Sequence, residues 1–259
     1  MVDSHCHLQV PALREDAVGH VAEARAQGVS EILVAGILPS EAASTTALAS
    51  ELGVWCSVGC HPCHVDEWDR VAVLSHLDHP RVVAVGECGL DFFHKPYDAV
   101  LQERVLREQL EIARDAGLPV ILHNRKSNDD LVRVLRDADF HDGVFHCFSA
   151  DHRTLDAALE LGYYISISGT VTFKNASIRE MMPVIPADRL LIETDAPWLA
   201  PHPHRGTTNR PALVRLVLEE IASLRGEDPA VLGATVEDNF HRCFPRTLVA
   251  ANATAQVHA

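Results

Sequence analysis

The chain has 259 residues, 47% hydrophobic and 22% charged, the balance of a globular protein able to bury a large core. Its 36 acidic against 22 basic residues give a formal charge of −14, which excludes holding nucleic acid on a broad basic face; a nucleic-acid substrate would need bound metals to supply much of the local positive charge. No stretch approaches the roughly 18 uninterrupted apolar residues of a membrane span, and Met1 runs straight into Val-Asp-Ser-His without a basic-then-apolar leader, so a cytoplasmic protein without membrane partners is expected.

Along the chain, eight short apolar runs have strand character: Val2 to Leu8, Glu31 to Gly36, Val54 to Gly59, Val82 to Glu87, Pro119 to His123, Gly143 to His146, Tyr163 to Ser168 and Leu190 to Asp195. Between them lie segments with helical spacing, among them Pro11 to Gln27, Asp98 to Ala116, Asn128 to Ala138 and Thr154 to Glu160. Gly28, Gly53, Gly117 and Gly162 stand where such segments hand over to a strand, the position that a left-handed helix end requires. Alternation of this kind means parallel strands covered by helices, and eight repeats in about 250 residues predict a (β/α)8 TIM barrel. Without a linker or low-complexity stretch before Pro245, one domain over residues 1–246 is expected, with a frayed tail over 247–259. The seven cysteines are odd in number and scattered through apolar segments, which predicts reduced and mostly buried thiols.

Histidines and carboxylates fall at the C-terminal ends of the predicted strands, where barrel active sites are built. His5 and His7, two apart in an extended segment, share one side of the first strand. Glu87 lies between glycines at the end of the fourth, where its two oxygens can bridge two cations. His123 ends the fifth strand, His146 the sixth, and Asp195 the eighth. The six groups form a nitrogen and oxygen set suited to divalent cations such as Zn, Mn, Mg or Ni. Glu193 shares the side of Asp195 but should lie deeper, as a supporting carboxylate.

These residues sit within longer motifs: Asp3-Ser4-His5-Cys6-His7-Leu8, Gly59-Cys60-His61-Pro62, Gly86-Glu87-Cys88-Gly89-Leu90-Asp91, Pro119 to His123, His146-Cys147-Phe148-Ser149 and Ser168 to Asn175. The run Glu193-Thr194-Asp195-Ala196-Pro197-Trp198-Leu199-Ala200-Pro201 follows, then Pro203-His204-Arg205-Gly206 and Asn209. Over almost its whole length the sequence resembles the TatD-type deoxyribonucleases, a branch of the metal-dependent hydrolase superfamily. The resemblance implies two divalent cations, one held by His5, His7, Glu87 and Asp195, the other by Glu87, His123 and His146. It implies a catalytic Asp195, a bridging Glu87, and His61 at the mouth touching substrate or leaving group. The expected activity is hydrolysis of phosphodiesters in DNA or an oligonucleotide, single-stranded by preference, threaded into the barrel mouth.

Arg205 and Arg125 are candidates to clamp phosphate oxygens, for which a guanidinium fork is suited; ion pairs at the rim are the alternative. Trp198, Phe92, Phe93 and Phe148 lie near strand ends, where stacking on bases competes with core packing as their role. Two other functions fit the motifs. A related hydrolase acting on an ester, lactone or amide, such as a mischarged aminoacyl-tRNA, would use the same metal cage. A non-hydrolytic metal or thiol redox protein would use Cys60 and Cys63, a pair present because this chain has Cys63 where the family often has a histidine.

Overall fold

In a computed structural model, which describes residues 1–248, all eight expected strands form. They are β1 (Val2–Cys6), β2 (Glu31–Val34), β3 (Trp55–Val58), β4 (Val82–Asp91), β5 (Val120–Arg125), β6 (Gly143–Phe145), β7 (Tyr164–Ile167) and β8 (Leu190–Ile192). They pair in parallel in sequence order, and helices alternate with them. Nearly every strand residue is buried, because a parallel sheet inside a ring of helices has no wet face; this is why the strands read as continuous apolar runs.

The barrel closes between β8 and β1 through a single bridge, Cys6 to Ala196, with Asp195 N–H donating to the His5 carbonyl (3.0 Å) and His7 N–H to that of Ala196 (2.8 Å). Below these bonds the buried Asp3 accepts from the Thr194 N–H (2.8 Å) and hydroxyl (2.7 Å). Burial raises the Asp3 carboxyl well above the usual range, although the two bonds from Thr194 oppose it.

The strand ends shift by one to four residues from expectation, with β6 stopping at Phe145 and β8 at Ile192, so that His146 and Asp195 lie just beyond their strands; two further differences shape the fold. The segment from Pro11 to Gln27 forms two helices, Pro11–Arg14 and Ala17–Ala26, because Asp16 leaves helical geometry and its side chain accepts from Gly19 N–H to cap the second. The fourth strand continues past Glu87 to Asp91, paired with β5 up to Arg125. Gly89 permits that pairing: its φ is +138°, and a Cβ there would collide with the His123 carbonyl. The glycines expected at helix ends do adopt positive φ, at Gly28, Gly53, Gly117 and Gly162. No helix among the described residues is long and apolar enough to cross a membrane. Of the tail expected to fray, Thr247 is buried, with its hydroxyl 2.8 Å from His241 Nδ1; residues 249–259 lie outside the described residues.

Candidate metal centre

The strand ends bring all six expected ligands and His61 into one cluster at the C-terminal mouth. Glu87 stands at its middle and divides it. Its Oε2 faces the Nε2 atoms of His5 (3.3 Å) and His7 (3.6 Å). Its Oε1 faces His146 Nε2 (2.8 Å), His123 Nδ1 (2.9 Å) and His61 Nε2 (3.4 Å). Asp195 adds Oδ1 on the first side, 3.7 Å from His5 Nε2 and 3.5 Å from His7 Nε2. His5 and His146 stack, with ring centroids 3.9 Å apart, and join the two sides. Asp195 reaches the mouth by a left-handed residue, φ 56°, a conformation that a short aspartate tolerates better than most side chains.

The far nitrogen of each ring identifies its tautomer. His7 Nδ1 donates to the Ala35 carbonyl (3.2 Å), His146 Nδ1 to Glu193 Oε1 (3.3 Å), and His123 Nε2 to Asp91 Oδ2 (3.0 Å). When neutral, each ring therefore turns a lone pair toward Glu87; without a cation, His123 Nδ1 (2.9 Å) and His146 Nε2 (2.8 Å) donate to Glu87 Oε1 as imidazoliums. His61 is the reverse: its Nδ1 accepts from the Cys63 N–H (3.1 Å), which leaves the proton of the neutral ring on Nε2, inside the site. Three rings offer lone pairs and a fourth offers a hydrogen. His5 Nδ1 is buried without a partner, and the His5 and His7 Nε2 atoms approach to 3.0 Å. Converging imidazole lone pairs around two carboxylates, with carboxylates or a carbonyl behind the rings, fit a divalent cation well. Three groups of three ligand atoms each lie within 4.8 Å of one another here: His5, His7 and Glu87; His5, His146 and Asp195; His61, Glu87 and His123.

Charge follows the same division. Burial would raise the Glu87 carboxyl, but His146, His61 and His5 hold it well below the usual range. Burial would lower His146, yet Glu87 and Glu193 hold it well above the ordinary imidazole value; His123 is raised against burial by Asp91 and Glu87. Burial would likewise raise Asp195, which His7, His146 and His5 lower.

Three supports had no role assigned from sequence. Asp91 is buried; besides His123, it accepts from the N–H groups of Phe93 (2.8 Å) and His94 (2.9 Å). Gln102 and Gln109, both buried in the helix Ala99–Ala116, grip strand-end backbone. Gln102 accepts from Asp91 N–H (2.9 Å) and donates to its carbonyl (3.0 Å); Gln109 does the same for Cys60, at 2.8 and 3.1 Å. The only available signal was their spacing of seven, which puts both on one helix face. Glu193 is fully buried against His146, at the depth expected of it.

The rim is mixed. Arg125 and Arg205 are exposed, lie over Phe93 (4.6 Å) and Phe173 (4.7 Å), and form no ion pair among the described residues, so the rim ion-pair alternative is not what the structure shows. Of the two roles open to the strand-end rings, core packing holds for Phe148, which is buried, and partly for Phe92, whereas Trp198 and Phe93 are 48% and 50% exposed. Cys63 is exposed, whereas Cys60 is buried, donates to the His64 carbonyl (3.2 Å), and has its thiol pushed up to about 12 by burial, with Glu67 and Asp66 adding to it. A thiol so held is a poor source of thiolate, which weighs against redox use of the pair.

A family model described as TatD related DNase matches residues 2–245. The chain is similar to the uncharacterised metal-dependent hydrolase YcfH of Escherichia coli K12, 40% identical over 252 residues, covering 94% of this chain and 95% of that one. It is similar also to the protein of Erwinia tasmaniensis named 3′-5′ ssDNA/RNA exonuclease TatD, 34% identical over 257 residues, covering 94% and 99%. Among solved structures, the TatD homologue YjjV of Escherichia coli K12 superposes with a TM-score of 0.89 at 31% identity, covering 95% and 98% of the two chains.

Proposed function

This chain belongs to the TatD-related DNase family and is a metal-dependent hydrolase acting on ester bonds; from that premise we propose that it cleaves phosphodiesters of single-stranded DNA at two divalent cations. One would be held by His5, His7, Glu87 and Asp195, the other by Glu87, His123 and His146. The observation that carries this reading is the division of Glu87, whose two oxygens face separate sets of imidazoles. The substrate class rests on the Erwinia relative named as an exonuclease of single-stranded DNA and RNA. Some metal-dependent hydrolases use a modified lysine as bridge; here no lysine lies on a strand, and Glu87 is the group that would serve instead.

Divalent cations held by these residues would make a water acidic enough to act as nucleophile at neutral pH and would neutralise the charge of the phosphate. Asp195, kept ionised by the imidazoles around it and placed at the mouth, accepts the proton of the attacking water. His61 presents its Nε2 hydrogen to the leaving oxygen, the role that its tautomer fits and that ligation would forbid. Asp91 and Glu193 hold His123 and His146 in the tautomers that keep their site-facing nitrogens unprotonated.

The test is hydrolysis of a 5′-labelled single-stranded DNA by metal-stripped protein resupplied in turn with Mg, Mn, Zn and Ni, beside Glu87→Ala and Asp195→Asn. Cleavage restored by metal, abolished in the first variant and nearly so in a folded second, is the expected result. No cleavage with any metal, from protein that binds two ions, would redirect the assignment to an ester or amide on the same cage. Near-normal turnover of Asp195→Asn would remove that residue from the mechanism.

A further inference from the structure

The sparse positive charge of this acidic chain is unevenly placed. Its three lysines, Lys95, Lys126 and Lys174, all lie just beyond the C-terminal ends of β4, β5 and β7. Arg125 ends β5 and Arg205 lies in the loop after β8. All five are exposed, and none forms an ion pair among the described residues. On the outer helices, by contrast, Arg104, Arg107, Arg133, Arg136 and Arg215 are each matched with a carboxylate. The loop after β3 carries no cation and has Asp66, Glu67 and Asp69 instead.

Rings accompany these cations. Phe93 lies under Arg125, and Phe173 under Arg205. Phe173, Lys174, Asn175 and Arg205 line an open cleft of about 350 Å³. That cleft is tied to the loop after β8 by the His202 N–H, which donates to Thr172 Oγ1 (2.8 Å). On the same loop the half-exposed Trp198 sets its ring edge-on to His7, with centroids 5.1 Å apart. The two arginine and phenylalanine pairs flank the mouth, three strands apart, and the metal cluster lies between them.

We propose that these groups form a track for a single-stranded oligonucleotide crossing the mouth, its phosphates against the five cations and its unstacked bases on Phe93, Trp198 and Phe173. The proposal rests on the phosphodiesterase reading and adds to it how the strand is held. A guanidinium fork matches a phosphate, and every base has a face that an aromatic ring can stack on. A duplex hides those faces, and its second strand would approach the acids after β3.

The experiment is fluorescence anisotropy of a labelled, cleavage-resistant phosphorothioate decathymidylate with the metal-loaded protein, across salt concentrations. Five single-strand phosphate contacts give a slope of log K against log salt of about −3.5. Lys174→Ala and Arg205→Ala should each make it shallower by about 0.7 and weaken binding several-fold. Phe93→Ala should weaken binding about fivefold or more at unchanged slope. Arg136→Ala, in its ion pair with Glu160, should alter neither. Mouth variants that bind like wild type would overturn the track, as would a duplex bound as tightly as the single strand or displacement by polyglutamate at equal charge. Hydrolysis of bis(p-nitrophenyl) phosphate by the wild type tests the underlying reading separately. Diester cleavage with insensitive variants removes the track alone, and track-dependent binding with no diester cleaved under any metal removes the phosphodiesterase.

Discussion

The tautomers around Glu87 make Asp91 more than a packing residue. Its carboxylate receives the Nε2 hydrogen of His123, so the proton that this ring gives up to a cation is the one on Nδ1, facing Glu87. Asp91→Asn can turn its amide nitrogen toward the ring and favour the opposite tautomer, and partners of this type are worth 10- to 100-fold in metal affinity or activity. Competition with a chromophoric chelator should show a loss of that size with the fold intact by circular dichroism; unchanged affinity would reduce Asp91 to a turn former. The raised His146 and His123 give a second consequence. In the metal-free protein both hold protons more tightly than a free imidazole, so a cation must displace them. Calorimetry of metal binding at pH 7, repeated in buffers of different ionisation enthalpy, should report release of about one proton or more, and apparent affinity should fall as pH falls. Heats that do not follow the buffer would contradict the protonated state assigned to these rings.

At the scale of elements, the helix Ala99–Ala116 organises two strand ends at once. Gln109→Ala leaves the buried N–H and carbonyl of Cys60 without partners, at roughly 1–3 kcal/mol for each group, and frees the turn that carries His61. Urea unfolding should show that loss, and turnover should fall in the variant while cation affinity, which does not depend on His61, changes less. A loss of stability without loss of turnover would make Gln109 a fold residue only. Apart from its spacing of seven from Gln102, nothing in the sequence marks this glutamine: in an amphipathic helix it looks like any solvated polar side chain, and its burial comes from the tertiary contact with the turn after β3. The strands were legible because both their faces are buried, and Glu87, His123 and Asp195 because strand ends converge in a barrel. Asp91 was visible within its motif but lacked a role, since its partner His123 is 32 residues away. The break at Asp16 escaped because the apolar spacing continues across it, while the cap that creates it is a local bond.

For the whole molecule, the cluster is also a stability element. Its groups lie on β1, β4 and β5 and just beyond the ends of β1, β6 and β8, so bound cations would fasten strands all round the barrel, including the seam between β8 and β1. Binding to the folded chain alone stabilises by about 2.7 kcal/mol at a hundredfold excess over Kd, which for a chain of this size raises Tm by about 5–10 °C. The pH dependence has a definite sign. His146 is raised in the fold, so its ion pairs with Glu87 and Glu193 contribute stability that is fully present below the ordinary imidazole value and lost as pH rises through the raised one. Glu87 is lowered, so its contribution is present above the ordinary carboxylate value and lost as pH falls through the lowered one. The metal-free protein should therefore weaken toward alkaline pH, where the loaded protein holds its cations more firmly because fewer protons compete. Thermal unfolding of chelator-stripped and metal-loaded protein between pH 6 and 8.5 should show a Tm gap that widens with pH. A constant or narrowing gap would mean that the imidazoles of the mouth are not the groups that the cations displace protons from.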